Sequence, residues 1–193
     1  ICGEPTEVAQ TLSKSTIPNL ITMIGSTETA KKVISDSSTS IKKYSMELGG
    51  NAPFIVFDDA DLDNAINIGA AIKFGNCGQI CVAANRFFVH EKVYDKFLNG
   101  LIEKAKNLKI GYSEDLDFDI GPLISKNSRD RITNLIKNTI DSGGNLEYGG
   151  GIPEMNGNWF EPTVISGINE SMSIFHEEIF GPVASIIKFK DDE

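Results

Sequence analysis

The chain has 193 residues, 40% hydrophobic and 23% charged, which is enough apolar material for a packed core and argues against disorder. Its 27 acidic and 18 basic residues leave a net charge of −9, which speaks against a nucleic-acid partner, because phosphate binding needs basic stripes. Three cysteines make no secreted disulfide framework, and no apolar run approaches the ~18 residues of a membrane span, so the expectation is a reducing, cytoplasmic setting away from membranes.

Glu7 to Leu12 reads as a short helix, broken by Pro18-Asn19, and Leu20 to Ile24 as a buried strand. Gly25-Ser26-Thr27 leads from that strand into a helix from about Glu28 to Ser35. Such a junction can cradle a phosphate on its hydroxyls and free helix N–H groups. The ordinary reading is an N-cap, and no G-x-G-x-x-G is present. Ser37 to Ser40 is a polar loop, and Lys42 to Leu48 a strand ending at Gly49-Gly50. Here Glu47 stands beside a glycine pair. Pro53 to Phe57, apolar throughout, reads as a parallel strand buried on both faces. Asp58-Asp59-Ala60-Asp61 supplies caps and first-turn acids, without the spacing of a calcium loop. The helix they open runs to about Phe74, with Leu62, Ala65, Ile66, Gly69 and Ile72 on one face.

Phe74 to Arg86, FGNCGQICVAANR, follows as a helix-to-strand corner. Gly78-Gln79-Ile80 precedes Cys81, and a turn of this kind can present a thiol to a pocket. Most free cysteines are instead small packed hydrophobes, and the residues alone leave both readings open. Phe87 to Val89 is a strand. Val93, Phe97, Leu101, Ala105 and Leu108 mark a long amphipathic helix. A loop spans 109–124 and contains Gly121-Pro122-Leu123. Ser128 to Asp141 is a helix with Ile132, Leu135, Ile136 and Ile140 inward, ended by Gly143-Gly144. Strands are expected at Leu146–Tyr148, Pro162–Ile165 and Val183–Phe189. Glu177-Glu178-Ile179-Phe180-Gly181-Pro182 before the last strand reads as a solvated turn. His90 and His176 lie far apart with no ligand spacing, so neither a metal site nor a Cys–His dyad is expected.

Alternating strands and helices define an α/β architecture with a largely parallel sheet. Two units join near Gly49, and a cleft between them is where Glu47 and Cys81 are expected to lie. The chain begins at Ile1 without an initiator Met and stops in an alternating pattern, so a segment of a longer protein is expected.

MELGGNAPFIVFDDADLDNAI, FGNCGQICVAANRFFV, GPLIS, EPTV and EEIFGPV follow one another as in the NAD(P)-dependent aldehyde dehydrogenase superfamily. The chain resembles that superfamily over nearly its whole length, and most of all the succinate-semialdehyde dehydrogenase branch. The resemblance implies the C-terminal part of a Rossmann-like NAD(P)-binding domain over 1–48. Over 49–193 it implies most of an α/β catalytic domain, incomplete at its C-terminus. It implies oxidation of an aldehyde to an acid with NAD or NADP, in a dimer or tetramer. Cys81 matches the nucleophile that forms a thiohemiacetal and then a thioester, and Glu47 the base that activates water. The Cys81 N–H matches an oxyanion donor. Ser26 matches a pyrophosphate contact, Glu178 a nicotinamide-ribose contact, and Phe180 a wall at the nicotinamide end. Gly25 and Gly49 would give close backbone approach, with Leu48 beside the ring.

Three departures from the family pattern stand out. Ala30 replaces a glycine at the Gly-Ser-Thr loop. Gly75 replaces the arginine that holds a substrate carboxylate in the succinate-semialdehyde branch. The early cofactor-domain strands, with an oxyanion Asn, and the late oligomerisation strands have no counterpart, so the 193-residue segment alone is expected to be inactive. Cys77 stands four residues before Cys81, which on a helix would share its face. A protective disulfide and a packed small residue are the two readings of it. Alternative functions are a coenzyme A-acylating relative and a non-catalytic remnant of the fold.

Overall fold

The computed structural model describes residues 2–112 and 117–190. The chain divides into two compact units, Ile1–Gly50 and Asn51–Glu193.

The first unit begins with helix α1, Pro5–Lys14, which starts two residues earlier than the sequence predicts. Pro5 occupies the first turn, where its fixed φ and missing N–H cost nothing. Strand β1, Leu20–Gly25, helix α2, Thr27–Asp36, and strand β2, Lys43–Leu48, form a β-α-β unit. The two strands pair in parallel, from Leu20 opposite Lys43 to Gly25 opposite Leu48. Ala30 and Val33 form the buried face of α2, so the alanine in the glycine position is accommodated as a packed helical residue. The expectation of a buried β1 does not hold: Leu20 is exposed, and Ile24 is 83% exposed. An apolar run records β-propensity, but which faces are covered depends on neighbours that the run does not reveal.

The second unit is a five-stranded sheet with helices on both faces. Its strands are β3 (Pro53–Val56), β4 (Arg86–His90), β5 (Asn145–Tyr148), β6 (Thr163–Ser166) and β7 (Val183–Phe189). Their spatial order is β3-β4-β7-β6-β5, parallel except for β5, which runs antiparallel to β6. Helices α3 (Leu62–Phe74) and α4 (Tyr94–Lys106) join one core, with Phe87 and Val89 of β4 and Ala184 and Ile186 of β7. Helix α5 (Lys126–Asp141) joins the other, with Val183 and Ile187 of β7 and Phe88 of β4 against it. Successive strand residues thus serve opposite cores, as the two-residue strand period requires.

The strands buried on both faces are β6, all four of whose residues are buried, and β7, whose first five residues are all buried. β3 was expected in that role. Among the described residues it is instead an edge strand, paired with β4 alone, and its Ile55 is 55% exposed. Asp61 caps α3 by accepting from Asn64 N at 3.2 Å. The buried face of α3 is Leu62, Ile66, Gly69, Ala70, Lys73 and Phe74, while Ile72 turns outward. On α5 the inward residue near the end is Thr139, whose hydroxyl donates to Leu135 O at 2.8 Å, and Ile140 is exposed. One helical turn, α6 (Ser173–His176), has no counterpart in the sequence reading. Of the loop expected over 109–124, residues 113–116 lie outside the described residues; Ile110 and Ile120 form a bridge across the rest. Among the described residues no helix is long and apolar enough to cross a membrane, and no group of His, Cys, Asp and Glu could hold a metal.

Candidate active site

In the first unit, five of the predicted site residues gather at the C-terminal ends of the two parallel strands. Ile24 pairs with Glu47 and Gly25 with Leu48, so Ser26 and Gly49 are the next residues of each strand's exit. Ligands of α/β sheets bind beyond these ends. Ser26 is the N-cap of α2: its Oγ accepts from Thr29 N at 3.2 Å and shares a hydrogen bond with Thr29 Oγ1 at 2.9 Å. Gly25 and Ser26 are exposed, and the sole acid of the first turn, Glu28, is paired with Lys31 at 2.9 Å, a hydrogen bond that holds its carboxyl below the usual range. A helix N-terminus of this kind can accept an anion on its free N–H groups. A cleft of about 840 Å³ between α1, β1 and α2 opens onto Gly25 and Thr29.

In the second unit, α3 ends in a left-handed turn. Asn76, Cys77 and Gly78 have φ of 49°, 57° and 68° in succession. Asn and Gly tolerate this region; a cysteine there is uncommon. The turn removes Cys77 from any helical face shared with Cys81 and drives its thiol into the core around α5, where it is 1% exposed. Burial pushes that thiol up to about 12, with Lys73 acting in the opposite direction. Cys81, four residues on, is exposed. Both are free thiols, so the packed-hydrophobe reading belongs to Cys77 and not to Cys81.

Two carboxamides hold the corner. Gln79 donates through Nε2 to Asn76 O and Pro122 O, both at 3.3 Å, and accepts from Ile124 N at 2.9 Å. Asn85 donates through Nδ2 to Glu177 O at 2.8 Å and accepts from Ile179 N at 2.9 Å. Arg131 of α5 donates to Glu178 O at 3.2 Å and to Ile179 O. The Cys81 corner is thereby tied to the segment bearing Glu178, which is half-buried, and Phe180, which is exposed with φ 47°. A cleft of about 690 Å³ lies alongside, with Asn76, Gln79, Leu123, Trp159 and Phe180 in its wall. On the buried face of α3, Lys73 is 1% exposed. Burial pulls its amine down to about 7, against the opposing pull of Cys77 and Glu178.

Gln79, Asn85, Arg131 and Lys73 were not singled out from the sequence. Lys73 was findable, since it falls four residues after Gly69 and seven after Ile66 on an apolar helix face. The carboxamides carried no such signal, because apart from Asn76 O their partners lie 34 to 94 residues away.

A largely parallel sheet between helices, beside a smaller β-α-β unit, is an α/β architecture. Residues 1–193 match the Aldehyde dehydrogenase family, and the chain belongs to it. It is 43% identical over 183 residues to succinate-semialdehyde dehydrogenase (NADP+) 2 of Schizosaccharomyces pombe, covering 94% of this chain and 37% of that protein. Succinate-semialdehyde dehydrogenase from Burkholderia pseudomallei superposes with a TM-score of 0.96 at 38% identity, over 99% of this chain and 40% of that one. Betaine aldehyde dehydrogenase from Staphylococcus aureus, in complex with NAD+, gives 0.94 at 33% identity, over 99% and 39%. The chain thus spans about two fifths of the length of the relatives it matches.

Proposed function

We propose that the whole protein oxidises an aldehyde to a carboxylic acid with NAD or NADP through a thioester on Cys81. The observation that carries this reading is the contrast between two thiols. Cys77 is buried and held protonated, while Cys81 is exposed on a corner pinned to the Glu178–Phe180 segment. The thiolate of Cys81 attacks the aldehyde carbon, a C–S bond forms, and the carbonyl oxygen becomes an oxyanion. The Cys81 N–H is one donor to that oxyanion. When bound, the nicotinamide supplies the hydride acceptor for the oxidation. Cys81 then holds the acyl group, and Glu47 takes a proton from the water that attacks it. The C–S bond breaks, the acid leaves, and the thiolate returns. Gly25 and Ser26 take the diphosphate, Leu48 and Gly49 border the ring, Glu178 takes the nicotinamide ribose and Phe180 walls the ring. No metal is assigned a part.

The aldehyde is not assigned as succinate semialdehyde. A Cβ added at Gly75 would find its nearest neighbour, Ile80 Cδ1, at 4.0 Å, so the position accepts a Cβ but, as glycine, supplies no cation for a carboxylate. A cytoplasmic homo-oligomer, a dimer or tetramer, is proposed with the activity and is read by light scattering after cell fractionation.

The test is a panel of aldehydes with both nicotinamides on the whole protein. Cys81→Ser is expected to abolish NAD(P)H formation. Glu47→Gln is expected to slow steady turnover ~10²–10⁴-fold while leaving one burst of NAD(P)H per site, because the thioester forms but is not hydrolysed. Activity that strictly requires coenzyme A would replace hydrolysis with acyl transfer. Only slow NAD(P)H formation, unaffected by Cys81→Ser, would favour a non-catalytic remnant of the fold.

A further inference from the structure

The Cys81 corner and the Glu177–Gly181 segment are fastened to each other at two points within the second unit. At the first, backbone meets backbone: a Cβ added to Gly78 would stand 2.1 Å from the Gly181 carbonyl oxygen. At the second stands Asn85, which is 3% exposed. Its Nδ2 donates to Glu177 O at 2.8 Å and to Asn51 Oδ1 at 2.5 Å, and its Oδ1 accepts from Ile179 N at 2.9 Å. One carboxamide therefore grips the peptide on each side of Glu178. Its own place is fixed by its main chain: Asn85 N donates to Ala52 O at 2.9 Å, and Ser185 Oγ donates to Asn85 O at 2.5 Å. Asn51 cannot rotate to relieve a change at Asn85 without losing its own bond, Nδ2 to Phe175 O at 2.8 Å.

We propose that Asn85 is a positioning residue that couples the Glu178–Phe180 segment to the reactivity of Cys81. This rests on the roles proposed above for Cys81, Glu178 and Phe180. The segment has no freedom to shift its 177–179 peptides without moving the Asn85 carboxamide, four residues from the thiol. Occupancy of the segment by a nicotinamide cofactor is therefore felt at Cys81, and Asn85 is the buried side chain through which the 177–179 peptides pass it on. Asn85→Asp keeps the shape and the bond from Ile179 N but sets an oxygen against the oxygens of Glu177 and Asn51, which a buried site tolerates poorly.

The experiment uses the whole protein and measures Cys81 alkylation by iodoacetamide with mass detection, with and without saturating NAD+ or NADP+. Cofactor binding is followed separately by calorimetry. In the wild type, cofactor is expected to change the alkylation rate by about fivefold or more. In Asn85→Asp and in the gentler Asn85→Ser, the change falls below about twofold although cofactor still binds, and in Asn85→Ser, which loses the bond, the Ile179 amide exchanges faster with solvent. A simple loss of packing would lower the melting temperature without removing the cofactor response. Variants that fold, bind cofactor and keep the wild-type response overturn the proposal; if Asn85→Asp does not fold, Asn85→Ser decides. Wild-type protein that binds cofactor with no change at Cys81 overturns the coupling and leaves the proposed function standing. Wild-type protein that binds neither cofactor overturns both.

Discussion

Lys73 buries an amine at the end of α3, and the cost shows in its proton affinity, pulled down to about 7 from an ordinary 10.5. Below pH 7 folded and unfolded chains both hold the proton, and the burial of the cation is fully felt. Between 7 and 10.5 the unfolded chain keeps a proton that the folded one has lost, so stability rises with pH. Cys77 acts in the opposite sense at higher pH. Its thiol is raised from 9.0 to about 12, so between those values the unfolded chain releases a proton that the folded one keeps, and stability falls. Denaturant titrations of the whole protein should therefore show stability rising from pH 7 to 9, with a slope of up to ~1.4 kcal/mol per pH unit attributable to this group. Lys73→Met should remove that part of the slope; an unchanged slope would mean that Lys73 keeps its proton. The same two residues mark how far the sequence could be read. Glu47, Cys81 and Ser26 stood out because their motifs are local. For Cys77 the packed reading holds and the face shared with Cys81 does not, because a spacing of four assumes a helix that three left-handed residues interrupt.

At the scale of elements, that left-handed turn is protected by glycine at one point where nothing else fits. Gly78 has φ 68° and no room for a Cβ, whereas Gly143, at φ 100°, has nothing within 4 Å. Gly143→Ala should cost only the left-handed strain, ~1–2 kcal/mol. Gly78→Ala adds a clash with the main chain of Gly181 and should cost ~3 kcal/mol or more, measured by denaturant unfolding of each variant beside the wild type. Equal costs would mean that the corner relaxes freely. Helix and strand positions were largely legible, as Val183–Phe189 and the inward stripe of α4 illustrate, because apolar period reports type directly. Exposure was not. Pro53 to Val56 has the composition of a central strand, yet it lies at an edge, a fact set by sheet order rather than by its own residues.

At the scale of the molecule, the two units differ in how much core they own. Both large apolar clusters lie in the second, and among the described residues of the first only Ala30 and Val33 are buried hydrophobics. Its two-stranded parallel sheet leaves Leu20 and Ile24 exposed, and parallel sheets are ordinarily covered on both faces. Residues 1–50 expressed alone should show no cooperative thermal transition by circular dichroism, while residues 51–193 should show one. A sharp transition in residues 1–50 would mean that the small βαβ unit is self-sufficient.

The place of β7 between β4 and β6 also sets a timetable. No strand pairing joins β4 to β6 directly, so the sheet exists as two separate ribbons until β7 has been synthesised. About 100 residues separate the end of β4 from the end of β7, which at ~5–20 residues per second is a wait of ~5–20 s on the ribosome. During that interval Phe87 and Val89, later sealed in the core, sit on a strand with one unpaired edge. A nascent chain stalled before Val183 should bind chaperones, and one released beyond Phe189 should not.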